Sequence, residues 1–130
     1  MTDALGLIDT NIVIDMLRGY EPAITWMQNN KGSAFALPSL VRMEVVLGTR
    51  NKIEQENAIK LLALYPVVYS TVVDSQWAMT EFEKLHLSNQ VEIMDCFIAA
   101  ICNRTGLPIY SRNQKHLGIF SGVVVISPYT

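Results

Sequence analysis

The sequence is short of most residues that announce a particular chemistry. It has two cysteines and two histidines among 130 residues, too few for a Cys/His zinc cluster. Cys96 and Cys102 would lie six residues apart on a helix, or about 9 Å along its axis. That exceeds the roughly 7 Å between Cα atoms that a disulfide tolerates, so they read as buried, reduced thiols of a cytosolic protein. The longest apolar run, Cys96 to Cys102, is seven residues. A membrane span needs about 20, so no membrane association is expected. The N-terminus lacks a basic stretch, a long apolar core and a small-residue cleavage site, so no signal peptide is expected and the default compartment is the cytoplasm.

Charge is also scarce. Only 17% of residues are charged, with ten Lys and Arg against twelve Asp and Glu, for a formal net charge of −2. The pI is near 5.6, whereas proteins that hold nucleic acid by bulk charge usually lie above about 9. Any such binding must be local or depend on a bound cation. Glycine-rich Rossmann and phosphate-loop motifs are missing as well.

What the chain does have is apolar residues, 50% of the total, which excludes intrinsic disorder. The length suits one domain over residues 1–130, able to bury roughly 65–70% of its unfolded surface without disulfides or a structural metal. Strands are expected at Leu5–Ile8, Ala34–Leu37, Val67–Tyr69, Leu107–Tyr110 and Val123–Ile126. Helices are expected from near Asp9 to Gly19, Pro22 to Asn30, Pro38 to Gly48, Asn51 to Leu64, Asp74 to Leu87, and Ile93 to Arg104. Ser111 to Gly118 reads as a loop or short helix. This alternation predicts an α/β fold, with a parallel sheet covered by helices on both faces.

In open α/β sheets the site lies beyond the carboxyl ends of the strands, so acids placed there are the candidates. Asp9 follows the first strand, where helix N-capping is the competing explanation. Glu44 sits in an apolar helix, Leu40 to Gly48, where burying an unpaired carboxylate costs several kcal/mol. Asp95 opens the apolar stretch Cys96–Cys102, where a favourable meeting with the helix dipole is the alternative. Glu92, three residues earlier, reads as solvated. Oxygen ligands without thiolate suit Mg²⁺ or Mn²⁺ rather than zinc. Carboxylate-held Mg²⁺ is the apparatus of phosphodiester hydrolysis, and two such ions would turn the formal −2 into about +2. The segment Tyr110 to Phe120 adds Ser111, Arg112, Asn113, Lys115 and His116. Arg112 and Lys115 are placed to touch phosphates and Asn113 to assist at a metal, against the alternative of a solvated turn. Trp26, Trp77 and Tyr65 read as core or interface residues.

The stretches LIDTNIVID, LPSLVRMEVVLG and IMDCFIAAICNRTGLPIYSRNQKHLGIF, in this order and spacing, resemble the PIN-domain nucleases, closely those of the VapC toxin type. The resemblance runs from about Leu5 to Ile126. It implies a three-layer α/β/α fold with a central parallel sheet of four to five strands. It also implies an Mg²⁺- or Mn²⁺-dependent endoribonuclease that leaves a 5′-phosphate and a 3′-hydroxyl, acts as the toxin of a toxin–antitoxin pair, forms a homodimer and is inhibited by a cognate antitoxin. Carried over, Asp9, Glu44 and Asp95 are the metal ligands and, with Asn113, the catalytic set. Thr10, Ser111, Arg112, Lys115 and His116 line the substrate side. Where many relatives carry a fourth acid after the fourth strand, this chain offers Asn113 and His116, which bears on whether one or two ions are held. Three alternatives remain: a housekeeping PIN nuclease in RNA processing, a non-catalytic PIN-like interaction module, and a phospho-acceptor receiver domain. The receiver is disfavoured because Ser70 and Thr71 follow the third strand in place of an acceptor acid.

Overall fold

A computed structural model describes residues 4–130. The expectation about a leader, and the first three residues of the 1–130 domain, fall at least partly outside those residues. The chain runs β1 (Gly6–Ile8), α1 (Thr10–Leu17), α2 (Glu21–Asn29), β2 (Phe35–Pro38), α3 (Ser39–Leu47), α4 (Lys52–Leu62), β3 (Val67–Val68), α5 (Val72–Asn89), α6 (Ile93–Thr105), β4 (Ile109–Tyr110), α7 (Gln114–Leu117) and β5 (Val125–Ile126). Every strand pairing is parallel, and the order across the sheet is β3-β2-β1-β4-β5.

Chain order and sheet order together locate the switch point. From β1 the chain moves outward to β2 and β3, then crosses back to β4 on the other flank of β1. Parallel crossovers are right-handed, so the two directions place their helices on opposite faces. The result is the expected α/β/α sandwich. One core, including Leu7, Ile8, Ile12, Leu37, Val41, Leu62, Ile98 and Ile109, spans the central strands and helices α1 to α4 and α6. A second, with Ala78, Cys96, Ala99, Ala100 and Phe120, joins α5 to α6. Trp26 packs on the first core and Trp77 on the second, and Tyr65 is half-buried. Both cysteines are buried and unbridged.

Local chemistry explains the ends of the elements. α5 begins at Val72, two residues earlier than expected, because Thr71 and Asp74 form a reciprocal capping box. α6 stops at Gly106, which takes φ +70° and returns its amide to the Cys102 carbonyl. β4 is shorter than expected because Pro108 has no amide to donate, although its carbonyl still accepts from Leu7 N at 2.9 Å. The segment after β4 is both things expected of it: a loop at 111–113, then the single-turn α7. No helix among the described residues is long and apolar enough to cross a membrane.

Candidate functional site

Strand register builds the site. Ile8 pairs with Tyr110, so the next residues out of the sheet, Asp9 and Ser111, leave side by side at the switch point, where open parallel sheets bind ligands. Asp9 N donates to the Tyr110 carbonyl at 3.0 Å. Ser111 Oγ donates to Asp9 Oδ2 at 2.7 Å. Thr10 N donates to Asp9 Oδ1 at 2.8 Å, so Asp9 is both the N-cap of α1 and a buried carboxylate facing the site. Ser111 is itself fully buried, and its hydroxyl is spent on Asp9. Thr10 plays a similar part, since its Oγ1 donates to Glu44 Oε1 at 2.8 Å and ties α3 to α1.

Asp95 lies in the first turn of α6, with His116 Nδ1 3.8 Å from its Oδ2. The charges of Asp9 and Glu92 reach both Glu44 and Asp95. Desolvation raises the Asp9 pKa, opposed by its hydrogen bonds to Ser111 and Thr10. Desolvation also raises Glu44, with added repulsion from Asp9 and Glu92. Asp95 is pushed up to about 6, first by burial, then by Asp9, Glu92 and Glu44, against a lowering pull from His116. Glu92 is exposed, as its sequence suggested, yet its charge reaches both Glu44 and Asp95. Its spacing three residues before Asp95 was the only signal for it.

Other buried acids are neutralised by a nearby cation. Asp15 pairs with Arg112 at 2.9 Å, Asp74 with Arg104 at 2.9 Å, and Glu81 with Lys84 at 3.5 Å. Among the described residues, Asp9 and Glu44 have no Lys or Arg partner, and Asp95 has only His116. The structure therefore concentrates uncompensated negative charge on oxygen donors, the environment a hard divalent cation seeks. The fit is in kind more than in spacing. Among the described residues no three His, Cys, Asp or Glu side chains stand close enough together to hold an ion as they lie. A bound ion would have to draw the carboxylates closer together.

The remaining candidates divide. Asn113 sits at the N-terminal end of α7 and its amide donates to Ser111 Oγ at 2.9 Å. Lys115 and His116 project from α7 as exposed side chains. Arg112 is turned to Asp15, its Nε 2.9 Å and its Nη2 3.2 Å from the carboxylate. Asn11, which the sequence did not single out, donates to Ser111 Oγ at 3.2 Å and accepts from Arg112 N at 3.1 Å. A separate cavity of about 570 Å³ opens between α1, α3 and α4, lined by residues including Ile14, Leu17, Val45 and Glu54. None of the clustered acids lines it.

Residues 6–118 match the family model for the PIN domain. No curated protein sequence matches the chain. Among solved structures, a toxin–antitoxin complex from Klebsiella pneumoniae is 21% identical, with a TM-score of 0.75 over 95% of this chain and 98% of that one. DNA-bound VapBC from Salmonella typhimurium is 16% identical, with a TM-score of 0.78 over 96% and 98%. FitAcB from Neisseria gonorrhoeae is 18% identical, with a TM-score of 0.74 over 94% and 96%. At these identities the likeness is one of fold.

Proposed function

The chain belongs to the PIN-domain family, and from that premise we propose that it is an Mg²⁺- or Mn²⁺-dependent endoribonuclease, the toxin held in check by an antitoxin protein. The observation that carries the reading is that Asp9, Glu44 and Asp95 have no Lys or Arg partners among the described residues, while the buried acids elsewhere have them. Three carboxylates would hold the ion. When bound, the ion activates water and offsets charge on the attacking and leaving oxygens of a phosphodiester.

The chain's own residues supply the rest. Ser111 Oγ and Thr10 N fix the Asp9 carboxylate by two hydrogen bonds, and Thr10 Oγ1 fixes one oxygen of Glu44, leaving the other free for a ligand. Asp95 enters from the opposite face of the sheet on α6. In this reading the exposed Lys115 and His116 meet phosphate oxygens of the substrate, and Asn113 steadies the group they bind. Local charge supports RNA binding where bulk charge does not: with a divalent cation seated among the acids, the site attracts a phosphate backbone despite the net charge of −2. The structural neighbours described as toxin–antitoxin complexes support an antitoxin partner.

RNA cleavage with Mg²⁺ or Mn²⁺, and with EDTA, tests the reading. Cleavage is expected with the ions, is expected to stop in EDTA, and is expected to be largely abolished in a folded Asp95→Asn protein. Expression of the wild-type chain should arrest growth while Asp95→Asn does not. Cleavage by Asp95→Asn at the wild-type rate would reject the assignment.

A further inference from the structure

Of the buried acids that the proposed chemistry leaves unused, Asp15 stands at the centre of a clasp joining three distant stretches of chain. Asn11 and Asp15 stand one turn apart on the same face of α1. Asn11 Oδ1 accepts the Arg112 backbone amide at 3.1 Å, and the Asp15 carboxylate accepts the Arg112 guanidinium through Nε at 2.9 Å and Nη2 at 3.2 Å. From the far end of the sequence, Tyr129 OH donates to Asp15 Oδ2 at 2.7 Å. The Tyr129 ring lies 5.8 Å from that of Tyr20, whose amide donates to the Asp15 carbonyl at 2.9 Å. Asp15 is nearly enclosed, with its side chain 10% exposed.

We propose that Asp15 and Tyr129 are positioning residues: by clasping Arg112 they hold Ser111 and Asn113 in place against Asp9. The proposal rests on the nuclease reading for its effect on rate, but not for the clasp itself. Ser111 Oγ donates to Asp9 Oδ2 and accepts from Asn113 N, so the residue between them sets both contacts. A two-pronged guanidinium–carboxylate contact fixes orientation as well as position. It also occupies the guanidinium, so Arg112 acts through the loop rather than by gripping an RNA phosphate. Lys115, exposed on α7, is left for that role.

Two variants test this without leaving a buried charge stranded. Tyr129→Phe removes one hydroxyl and keeps the ring, and Asp15→Asn keeps the side-chain volume and removes the charge that orients the fork. The readouts are kcat and KM for RNA cleavage in Mn²⁺, and amide hydrogen exchange at Arg112 and Asn113 in the same proteins. Because small misplacements at a reacting centre are costly, kcat is expected to fall several-fold in Tyr129→Phe and about tenfold or more in Asp15→Asn. KM should stay within about twofold, as for an interaction that acts on the reacting geometry rather than on binding. Exchange at Arg112 and Asn113 should quicken while that of Leu7 and Ile8 in β1 holds. Should Asp15→Asn instead lower KM with kcat unchanged, the freed guanidinium would be gripping RNA and the proposal would be overturned. If the wild-type protein cleaves no RNA, the nuclease reading fails alone. The clasp is then judged by exchange, where equal protection in the variants and the wild type would overturn it.

Discussion

Asp95 costs the fold stability at neutral pH, as the proposed role of metal ligand would require. Its folded pKa is about 6 against an ordinary 3.8, raised by burial and then by the acids around it. The folded protein therefore keeps a proton that the unfolded chain has already lost between those values. By linkage, Asp95's contribution makes stability fall as pH rises through that window, and the deficit is complete above about 6. Asp9 and Glu44, raised in the same direction, add to the effect. In metal-free buffer, Asp95→Asn should thus raise stability at pH 7 by about 1–3 kcal/mol, read from chemical denaturation, and narrow the gap between pH 5 and pH 7. A variant less stable than wild type at pH 7 would mean that the carboxylate is compensated by something other than a cation. The three acids were candidates in the sequence by their places, Asp9 and Asp95 at helix starts that also explain an acid there and Glu44 inside an apolar helix that does not. Glu92 and Asp15 were not. What makes them matter is a charge arriving from another segment, 97 residues away for the Arg112–Asp15 contact, and a local pattern does not encode that.

At the scale of elements, hydrophobic periodicity and punctuation carried most of the architecture. Apolar runs such as Gly6–Ile8, fully buried, can only be central strands. Thr71 and Gly106 mark helix ends by mechanisms visible as residue types. The length of β4 and the sheet order needed the structure, since Pro108's missing amide counts only once its neighbour is known, and order depends on long-range packing. Two elements invite direct tests. A Cβ at Gly6 would lie 2.7 Å from Tyr110 Cε2 and 3.1 Å from the Pro108 carbonyl. The Tyr110 ring cannot easily give way, being packed between Phe35 and Trp26 at centroid distances of 5.2 and 5.4 Å. Gly6→Val should therefore cost about 1–3 kcal/mol or more, seen as a lowered Tm. In α6, Arg104→Ala strands the buried Asp74, which otherwise accepts from Arg104 Nε at 2.9 Å while it caps α5. The expected loss is about 3–5 kcal/mol by denaturation, against about 1 kcal/mol for Thr71→Ala, which removes only a cap.

Over the whole molecule, the net charge of −2 conceals an uneven distribution. Among the described residues, the buried acids outside the switch point are paired, whereas Asp9, Glu44 and Asp95, carried by α1, α3 and α6, have no Lys or Arg partner. Such a molecule should be stabilised by the ion it holds, because binding to the folded state alone shifts the unfolding equilibrium. Tm should rise with added Mn²⁺ and fall back in EDTA. The most direct measurement is titration of Mn²⁺ into the metal-free wild-type protein and into Asp9→Asn by calorimetry. Saturable binding by the wild type, lost or weakened at least tenfold in the variant, is the expected result for a cation seated among these carboxylates. Binding of equal strength in both proteins, or none in the wild type, would contradict it.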